Sequence, residues 1–309
     1  MVRAGVPTGW NPLQLPDSPT NRAFLRDLVA ALVAEPAKPL SAEDLTAIAE
    51  AVDANFEQDP AYRRLSYFAE LFRGRARQEA GDLAARLARW HSEGSHAWAF
   101  DNEADHLDLD ERTIGVDLTH ILDDPTARGP AMLYLFHRVT ERLDGAPTII
   151  VVDEGWKALD DAAFAYRLKD LEKTIRKRNG LVGFITQSAH DIVNSSVGAA
   201  IIEQSPTQLF LPNPQARADE YCTGFGLTTH ELDIVRSLPD SAHCVLIKQG
   251  REAVVARLDL SGYDEILSVL SGREATVRLA AQLREAHGDA PAAWLPGFIR
   301  TLHPKETTA

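Results

Sequence analysis

Two adjacent carboxylates follow a short apolar run near the middle of the chain. Residues 148–152 (Thr-Ile-Ile-Val-Val) have the pattern of a buried strand, and Asp153 and Glu154 come directly after it. Open α/β sheets bind ligands at the carboxyl ends of their strands, where Asp153 would hold a nucleotide-bound Mg²⁺ through its water shell. Glu154 would act as general base on the attacking water. A core strand that leads into a charged turn gives the same pattern, so the pair alone leaves both interpretations open.

A polar side chain also follows the next apolar run. Residues 181–185 precede Thr186, Gln187 and Ser188. If the two runs are neighbouring parallel strands, Gln187 lies at the same sheet edge as the carboxylates, where its amide would bond both a γ-phosphate and the attacking water. A lone glutamine after a strand is more often a solvated turn residue. Beside Asp153 and Glu154, Gln187 becomes a candidate phosphate sensor.

The segment between these two runs is rich in basic residues and ends with Asn179-Gly180, a typical helix C-terminus. Part of this positive charge complements the helix dipole. We expect Arg176 and Arg178 to lie at the rim of the nucleotide site, where a ring of subunits would present an arginine to the phosphates of its neighbour. A solvated basic helix end is the alternative for each of them.

A complete nucleotide site of this kind needs a phosphate-binding loop, G-x-x-x-x-G-K-[ST], whose lysine and backbone amides hold the β- and γ-phosphates. The 309 residues contain no Gly-Lys dipeptide. The sequence therefore predicts a nucleotide site that this chain does not complete alone.

The elements that must position these residues follow from the periodicity. Apolar, mostly β-branched runs at 113–116, 148–152, 181–185 and 208–211 alternate with longer helical segments. This alternation predicts an α/β fold with a doubly wound, mostly parallel sheet. Two later runs, 243–248 and 252–258, flank Gln249-Gly250-Arg251 and predict a hairpin.

Composition and periodicity predict four segments along the chain. Residues 1–20 are proline-rich and form an extended lead-in, and residues 21–97 have helical periodicity with an N-cap pattern at Ser41 and Asp44. Residues 98–260 form the α/β core, and residues 261–309 form C-terminal helices.

The amino-acid composition limits the kinds of function and location that the chain can have. The formal net charge is −13, from 45 acidic and 32 basic residues, which excludes unspecific nucleic-acid binding by the chain as a whole and leaves only local DNA contact. Cys222 and Cys244 match neither a disulfide framework nor a metal-binding spacing. No apolar run is long enough for a membrane span, and the first residues lack a signal core, so we expect a cytoplasmic protein.

Together these segments resemble the TrbE/CagE/VirB-four family of type IV secretion and conjugative-transfer ATPases. The matching segments are residues 10–13, 21–24, 100–102, 117–119, 152–159, 176–180, 186–191, 210–214, 226–228, 248–250 and 270–272. The resemblance covers nearly the whole chain and is densest at residues 152–159.

The resemblance implies a RecA-like P-loop NTPase-type fold, with a mostly parallel sheet flanked by helices and an all-helical subdomain. It implies ATP and Mg²⁺ as cofactors and a hexameric assembly, peripheral to the bacterial inner membrane, whose hydrolysis drives pilus assembly or substrate transfer. Partners would be inner-membrane components, a coupling protein and other secretion ATPases. The roles carried over are metal binding for Asp153, general base for Glu154, sensor for Gln187, fingers for Arg176 and Arg178, and contact with the nucleotide base or a subunit for Lys248 and Gln249.

The family's phosphate loop lies N-terminal to the matching region, so the resemblance implies a motor fragment that is inactive alone. Loss of a central strand would expose strand edges and predicts weak folding or self-association. Two alternatives stay open: a non-hydrolysing scaffold module of the secretion apparatus, and a related coupling protein or DNA-translocating motor.

Overall fold

The structure, a computed structural model, describes residues 5–73, 81–153, 174–195 and 198–303. The predicted base Glu154 lies outside the described residues. The chain divides into two compact units, one of Met1–Pro206 with Arg217–Gly226 and one of Thr207–Ala216 with Leu227–Ala309.

The first unit begins with helices. These are α1 (Pro19–Leu32), α2 (Ala42–Glu57), α3 (Leu65–Phe68), α4 (Gly81–Leu87), α5 (Ala97–Phe100), α6 (Thr119–Leu122) and α7 (Arg128–Arg142). Short 3₁₀ turns at Pro12–Gln14, Pro60–Tyr62, Ala69–Phe72 and Ala88–Trp90 separate or extend them. It then continues through the strands β1 (Thr148–Asp153) and β2 (Gly180–Ile185), with the 3₁₀ turn Arg176–Arg178 before β2, and the short helices α8 (Ala189–Asn194) and α9 (Gly198–Gln204). Its last element is a π-helical turn, Asp219–Gly224.

Side-chain caps define the starts of the first two long helices. Ser18 accepts a hydrogen bond from the backbone N–H of Asn21, and Pro19 occupies the first turn of α1, where no amide partner is needed. Ser41 and Asp44 form a complete capping box at α2, as their spacing predicts.

The proline-rich lead-in is part of the helical core. Trp10 and Leu13 are almost fully buried against α1 and α7 residues of one hydrophobic cluster. The buried amide of Asn11 donates to the backbone oxygens of Arg63 and Asn102 at 2.8 and 2.7 Å. Because burial without such partners costs free energy, Asn11 fixes the lead-in to two other segments.

Helix α7 lies between two hydrophobic clusters. Tyr134 belongs to the cluster of the N-terminal helices. Met132 and Phe136 belong to a second cluster, against which Ile150 and Val152 of β1 pack. The helix therefore joins the helical region to the strands that carry the predicted site.

Strands β1 and β2 are parallel, with Asp153 opposite Ile185. This confirms the two strands predicted at 148–152 and 181–185. The strand predicted at 113–116 was wrong, because these residues form no strand and Ile114 and Val116 are exposed. A strand needs a neighbour for its backbone hydrogen bonds, whereas Asp117 accepts from the amide and hydroxyl of Thr119 and turns the chain into α6.

The second unit contains an antiparallel sheet in the order β3 (Thr207–Phe210), β4 (Cys244–Gln249) and β5 (Glu252–Arg257). The β4–β5 hairpin is as predicted, and Gly250 in its turn has φ +61°, which glycine adopts without strain. The run at 208–211 was wrongly assigned to the parallel sheet. It pairs antiparallel with β4, because apolar content predicts a strand but not the direction of its partner.

The remaining elements of the second unit are the helices α10 (Thr229–Ser237), α11 (Asp264–Leu270), α12 (Glu274–His287) and α13 (Pro291–Leu302), with the 3₁₀ turn Asp240–Ala242. Leu232 and Val235 of α10 are buried. In α11 to α13 only Phe298 is buried, in an edge-to-face contact with Trp294. Among the described residues, no helix has the length and apolar character needed to cross a bilayer.

Candidate functional site

The carboxyl ends of β1 and β2 bring two of the predicted residues together. Asp153 is the last residue of β1, and Gln187 follows the end of β2 by two residues. Both side chains line one cavity of about 1080 Å³. Parallel pairing explains this, because strands that run in the same direction end at the same edge.

The walls of this cavity come from three segments: the loop before α6, one side of α7, and β1. The lining is largely apolar, with Met132 and Phe136 from α7 and Ile149 and Val151 from β1. Ile149 and Val151 are 72% and 59% exposed, so the cavity is open along β1.

Asp153 is exposed and its carboxylate makes no hydrogen bond or ion pair with the described residues. Mg²⁺ in nucleotide sites is bound through one or two carboxylates, substrate phosphates and water. An unpaired carboxylate at the end of a parallel strand fits this ligand set. The described residues contain no cluster of three or more metal-ligating side chains.

The basic residues before β2 do not lie at the edge of the strands where the sequence predicted them. The turn Arg176–Arg178 precedes the first residue of β2, so it lies at the amino edge of the strands. A strand of this length separates the two edges by roughly 17 Å. The expectation that Arg176 and Arg178 lie at the rim of the site of Asp153 was wrong, because the chain enters β2 at one edge and leaves it at the other.

The two arginines also differ from each other. Arg178 donates from Nη1 to the backbone oxygen of Thr140 at 2.9 Å, near the end of α7. Arg176 is exposed, and its side chain has no hydrogen-bond or ion-pair partner among the described residues. Asn179 ends the turn with φ +58°, which agrees with the predicted Asn-Gly C-terminus.

Lys248 and Gln249 belong to β4 of the second unit. The Lys248 ammonium donates to both carboxylate oxygens of Glu231, at 2.9 and 2.8 Å, and Lys248 is 9% exposed. Glu231 also accepts from the backbone N–H of Thr228 and completes the capping box of α10. Lys248 is thus engaged in a buried ion pair, while Gln249 is exposed.

This ion pair sets the protonation of Glu231. Burial alone would raise the pKa of the Glu231 carboxyl, but the hydrogen bonds from Lys248 and Thr228 outweigh it and lower the pKa. The carboxylate is therefore the stable form in the folded protein.

One polar cluster was missed by the sequence reasoning. The hydroxyl of Tyr134 donates to Asp105 at 2.7 Å, and Arg138, one turn further along α7, pairs with the same carboxylate. Arg138 also donates to the backbone oxygen of Leu107 at 2.9 Å. Burial and the negative charge of Asp105 raise the pKa of Tyr134, which stays neutral. The cluster fixes the loop at 105–107 to α7.

A second carboxylate of the cavity, that of Asp117, is hydrogen-bonded to a neighbouring residue. The amide and hydroxyl of Thr119 lower the pKa of Asp117 by hydrogen bonding to its ionised form. Asp117 lines the same cavity as Asp153. In the structure its carboxylate is hydrogen-bonded to Thr119, the first residue of α6.

Two parallel strands, with an acidic and an amide side chain at one cavity beyond their carboxyl ends and helices packed against them, agree with an α/β domain of the P-loop NTPase type. A family model described as the TraG P-loop domain matches residues 31–259. The chain belongs to this family, and the predicted relationship to type IV secretion ATPases is confirmed.

The relatives are components of type IV secretion systems. The type IV secretion system protein virB4 of Bartonella henselae is 40% identical over 299 residues, which cover 96% of this chain and 38% of that protein. The type IV secretion system protein PtlC of Bordetella pertussis is 38% identical over 307 residues, covering 97% of this chain and 37% of that protein. This chain thus spans well under half the length of these relatives.

A solved structure shares the fold. VirB4 of Thermoanaerobacter pseudethanolicus matches with a TM-score of 0.66 and 19% identity, over 84% of this chain and 77% of that one. At this identity the match supports the fold.

Proposed function

We propose that this chain is part of an ATP-hydrolysing motor of a type IV secretion or conjugation system. The observation that carries the proposal is the meeting of Asp153 and Gln187 at one cavity, at the carboxyl ends of parallel strands, in a chain of the TraG P-loop domain family. Ligands of such sheets bind at this edge.

In the proposed mechanism, Asp153 would hold Mg²⁺ through its water shell. When bound, Mg²⁺ would supply positive charge that neutralises the charge developing on the phosphates. Glu154 accepts the proton of the attacking water. Gln187 donates its amide to the γ-phosphate and orients the same water molecule.

Other parts of the motor must hold the phosphates, because the 309 residues have no phosphate-binding loop. We propose that the loop belongs to a part of the motor outside this sequence, which agrees with the 38% of the Bartonella relative that the chain covers. On this proposal the chain alone does not hydrolyse ATP.

Arg176 and Arg178 lie at the edge of the strands opposite to Asp153 and Gln187. An arginine at the amino edge of β2 cannot reach a nucleotide at the carboxyl edge of its own chain, so it would act on the site of a neighbouring copy. Arg176, whose side chain has no partner among the described residues, is the better candidate for this than Arg178, which is bonded to Thr140. We propose a hexameric ring at the cytoplasmic side of the inner membrane, in contact with inner-membrane components, a coupling protein and other secretion ATPases, with DNA contact confined to local surfaces.

A scaffold module is the second candidate. The absence of a Gly-Lys dipeptide from these 309 residues is compatible with both candidates, because a scaffold needs no phosphate loop. In a scaffold, however, nothing would require the carboxylate of Asp153, which has no partner among the described residues.

Calorimetry of Mg-ATP binding separates the two candidates. We would compare this chain with a longer polypeptide from the same reading frame that includes a phosphate loop. The motor proposal expects binding by the longer protein only, with Glu154→Gln retaining binding and lowering turnover at least about 100-fold. Glu252→Gln, which alters an exposed carboxylate on β5, is the matched control and should leave turnover unchanged. If neither polypeptide binds, the scaffold proposal replaces the motor.

A further inference from the structure

The three residues between β2 and α8 form a hydrogen-bonded turn around Gln187. The hydroxyl of Thr186 accepts from the backbone N–H of Ser188 at 3.0 Å. The same hydroxyl donates to the backbone oxygen of Ser188 at 3.2 Å. One hydroxyl group therefore holds the backbone on the far side of Gln187 to the end of β2.

The hydroxyl of Ser188 connects this turn to the start of α8. Ser188 accepts from the backbone N–H of Asp191 at 3.2 Å and is the N-cap of α8. Thr186 and Ser188 are partly buried, while Gln187 between them is exposed toward the cavity that it lines with Asp153. The turn thus presents one side chain and holds both of its neighbours.

Threonine suits this task better than serine or valine. Its branched β-carbon restricts χ1, so the hydroxyl is already oriented before the bonds to Ser188 form. With the backbone fixed, ordering Gln187 on a ligand costs mainly the entropy of its own side chain. Small errors in the position of a catalytic group lower rates strongly.

We propose that Thr186 is a positioning residue for Gln187: its hydroxyl, through both bonds to Ser188, sets the point from which the Gln187 amide reaches the γ-phosphate and the attacking water. This inference rests on the proposed function and adds to it a residue that does not touch the nucleotide.

Steady-state kinetics of the complete motor test the proposal with four variants: Thr186→Val, Thr186→Ser, Gln187→Ala and the double variant Thr186→Val/Gln187→Ala. We expect Thr186→Val to lower kcat for ATP about tenfold or more with KM within twofold, and Thr186→Ser to restore most of the rate. In the Gln187→Ala background, Thr186→Val should change kcat less than about twofold, because a hydroxyl that acts through Gln187 has nothing left to position.

Thr46→Val is the matched control. It removes a threonine hydroxyl that donates to a backbone oxygen, that of Ala42 at 2.9 Å, on an exposed position of α2 outside the cavity. Its kcat should stay within about twofold of the unchanged protein. Thr186→Ala serves as a second hydroxyl-free variant should Thr186→Val fold poorly.

The outcomes are distinct. If Gln187→Ala lowers kcat and Thr186→Val does not, the positioning role is wrong and the proposed motor function stands. If Thr186→Val lowers kcat equally with and without Gln187, the hydroxyl acts on stability or another group, and the positioning role is again overturned. If Gln187→Ala leaves kcat unchanged, the sensor role in the proposed function fails and the positioning role fails with it.

Amide hydrogen exchange on this chain gives a readout that does not depend on hydrolysis. The Ser188 amide should exchange faster in Thr186→Val and not in Thr186→Ser, since only the former loses the acceptor. Equal exchange in both variants would contradict the turn on which the inference depends.

Discussion

The guanidinium of Arg178 caps the C-terminal end of α7 by donating to the backbone oxygen of Thr140. Both arginines are exposed, but only Arg178 makes this contact, and Arg176 has no hydrogen-bond or ion-pair partner among the described residues. The two residues should therefore respond differently to substitution.

We predict that Arg176→Ala leaves stability unchanged but lowers ATP turnover of the assembled motor about 10³-fold, the scale of lost arginine fingers. Arg178→Ala should instead lower stability by about 0.5–1 kcal/mol, because the Thr140 oxygen loses a partner at an exposed site. Urea denaturation and steady-state turnover measure the two effects, with Lys177→Ala as control. A normal rate for Arg176→Ala in the assembled motor would exclude it as a finger.

Breaking the Lys248–Glu231 pair should be costly. Lys248→Met leaves a buried carboxylate without its cation, and such changes cost about 3 kcal/mol. Adding Glu231→Gln to Lys248→Met should restore more than half of the lost free energy of unfolding. The amide carries no charge, and its oxygen still accepts from the backbone N–H of Thr228. Urea denaturation of the single and double variants measures this. A loss below about 0.5 kcal/mol for Lys248→Met would mean that the ion pair does not stabilise the fold.

The same pair predicts a pH dependence. The pKa of Glu231 is lowered in the folded protein from 4.5, so its contribution to stability is fully present above about pH 4.5. It is lost as the pH falls through the lower folded pKa, because the unfolded chain then binds the proton more readily. Stability measured from pH 6 to about pH 3 should fall less steeply in Lys248→Met than in the unchanged protein. If stability falls equally steeply with pH in both proteins, Glu231 is not the group that causes the pH dependence.

The exposed side chains of β1 and β2 should promote self-association. Ile149, Val151, Leu181 and Ile185 are each more than half exposed, whereas parallel strands usually have both faces covered. Ile149→Lys should reduce the mass found by sedimentation velocity at high protein concentration. Leu45→Lys, at a position on α2 that is 51% exposed, is the control and should have no such effect. A chain that is monomeric throughout would contradict the prediction.

Local patterns predicted the local elements well. The β-branched runs at β1, β2 and the β4–β5 hairpin, and the Ser41–Asp44 spacing at α2, act over a few residues. Pairing is not local, so the run at 113–116 was taken for a strand and β3 was assigned to the wrong sheet.

For the candidate site too, the features that depend on strand direction were predicted and those that depend on packing were not. Asp153 and Gln187 meet because strand direction alone decides which ends share an edge. The same rule places Arg176 at the opposite edge, although it is near Gln187 in sequence. The contacts of Tyr134 with Asp105 and of Lys248 with Glu231 depend on chain packing, and nothing in the spacing of these residues indicates them.

The position of α7 has a consequence for how the first unit loses its structure. Neighbouring residues of this helix serve different clusters, with Tyr134 on one side and Phe136 on the other. Removal of the helix from either cluster removes it from both. We therefore expect loss of α7 to unfold the strand that carries Asp153 together with the cluster that contains Trp10.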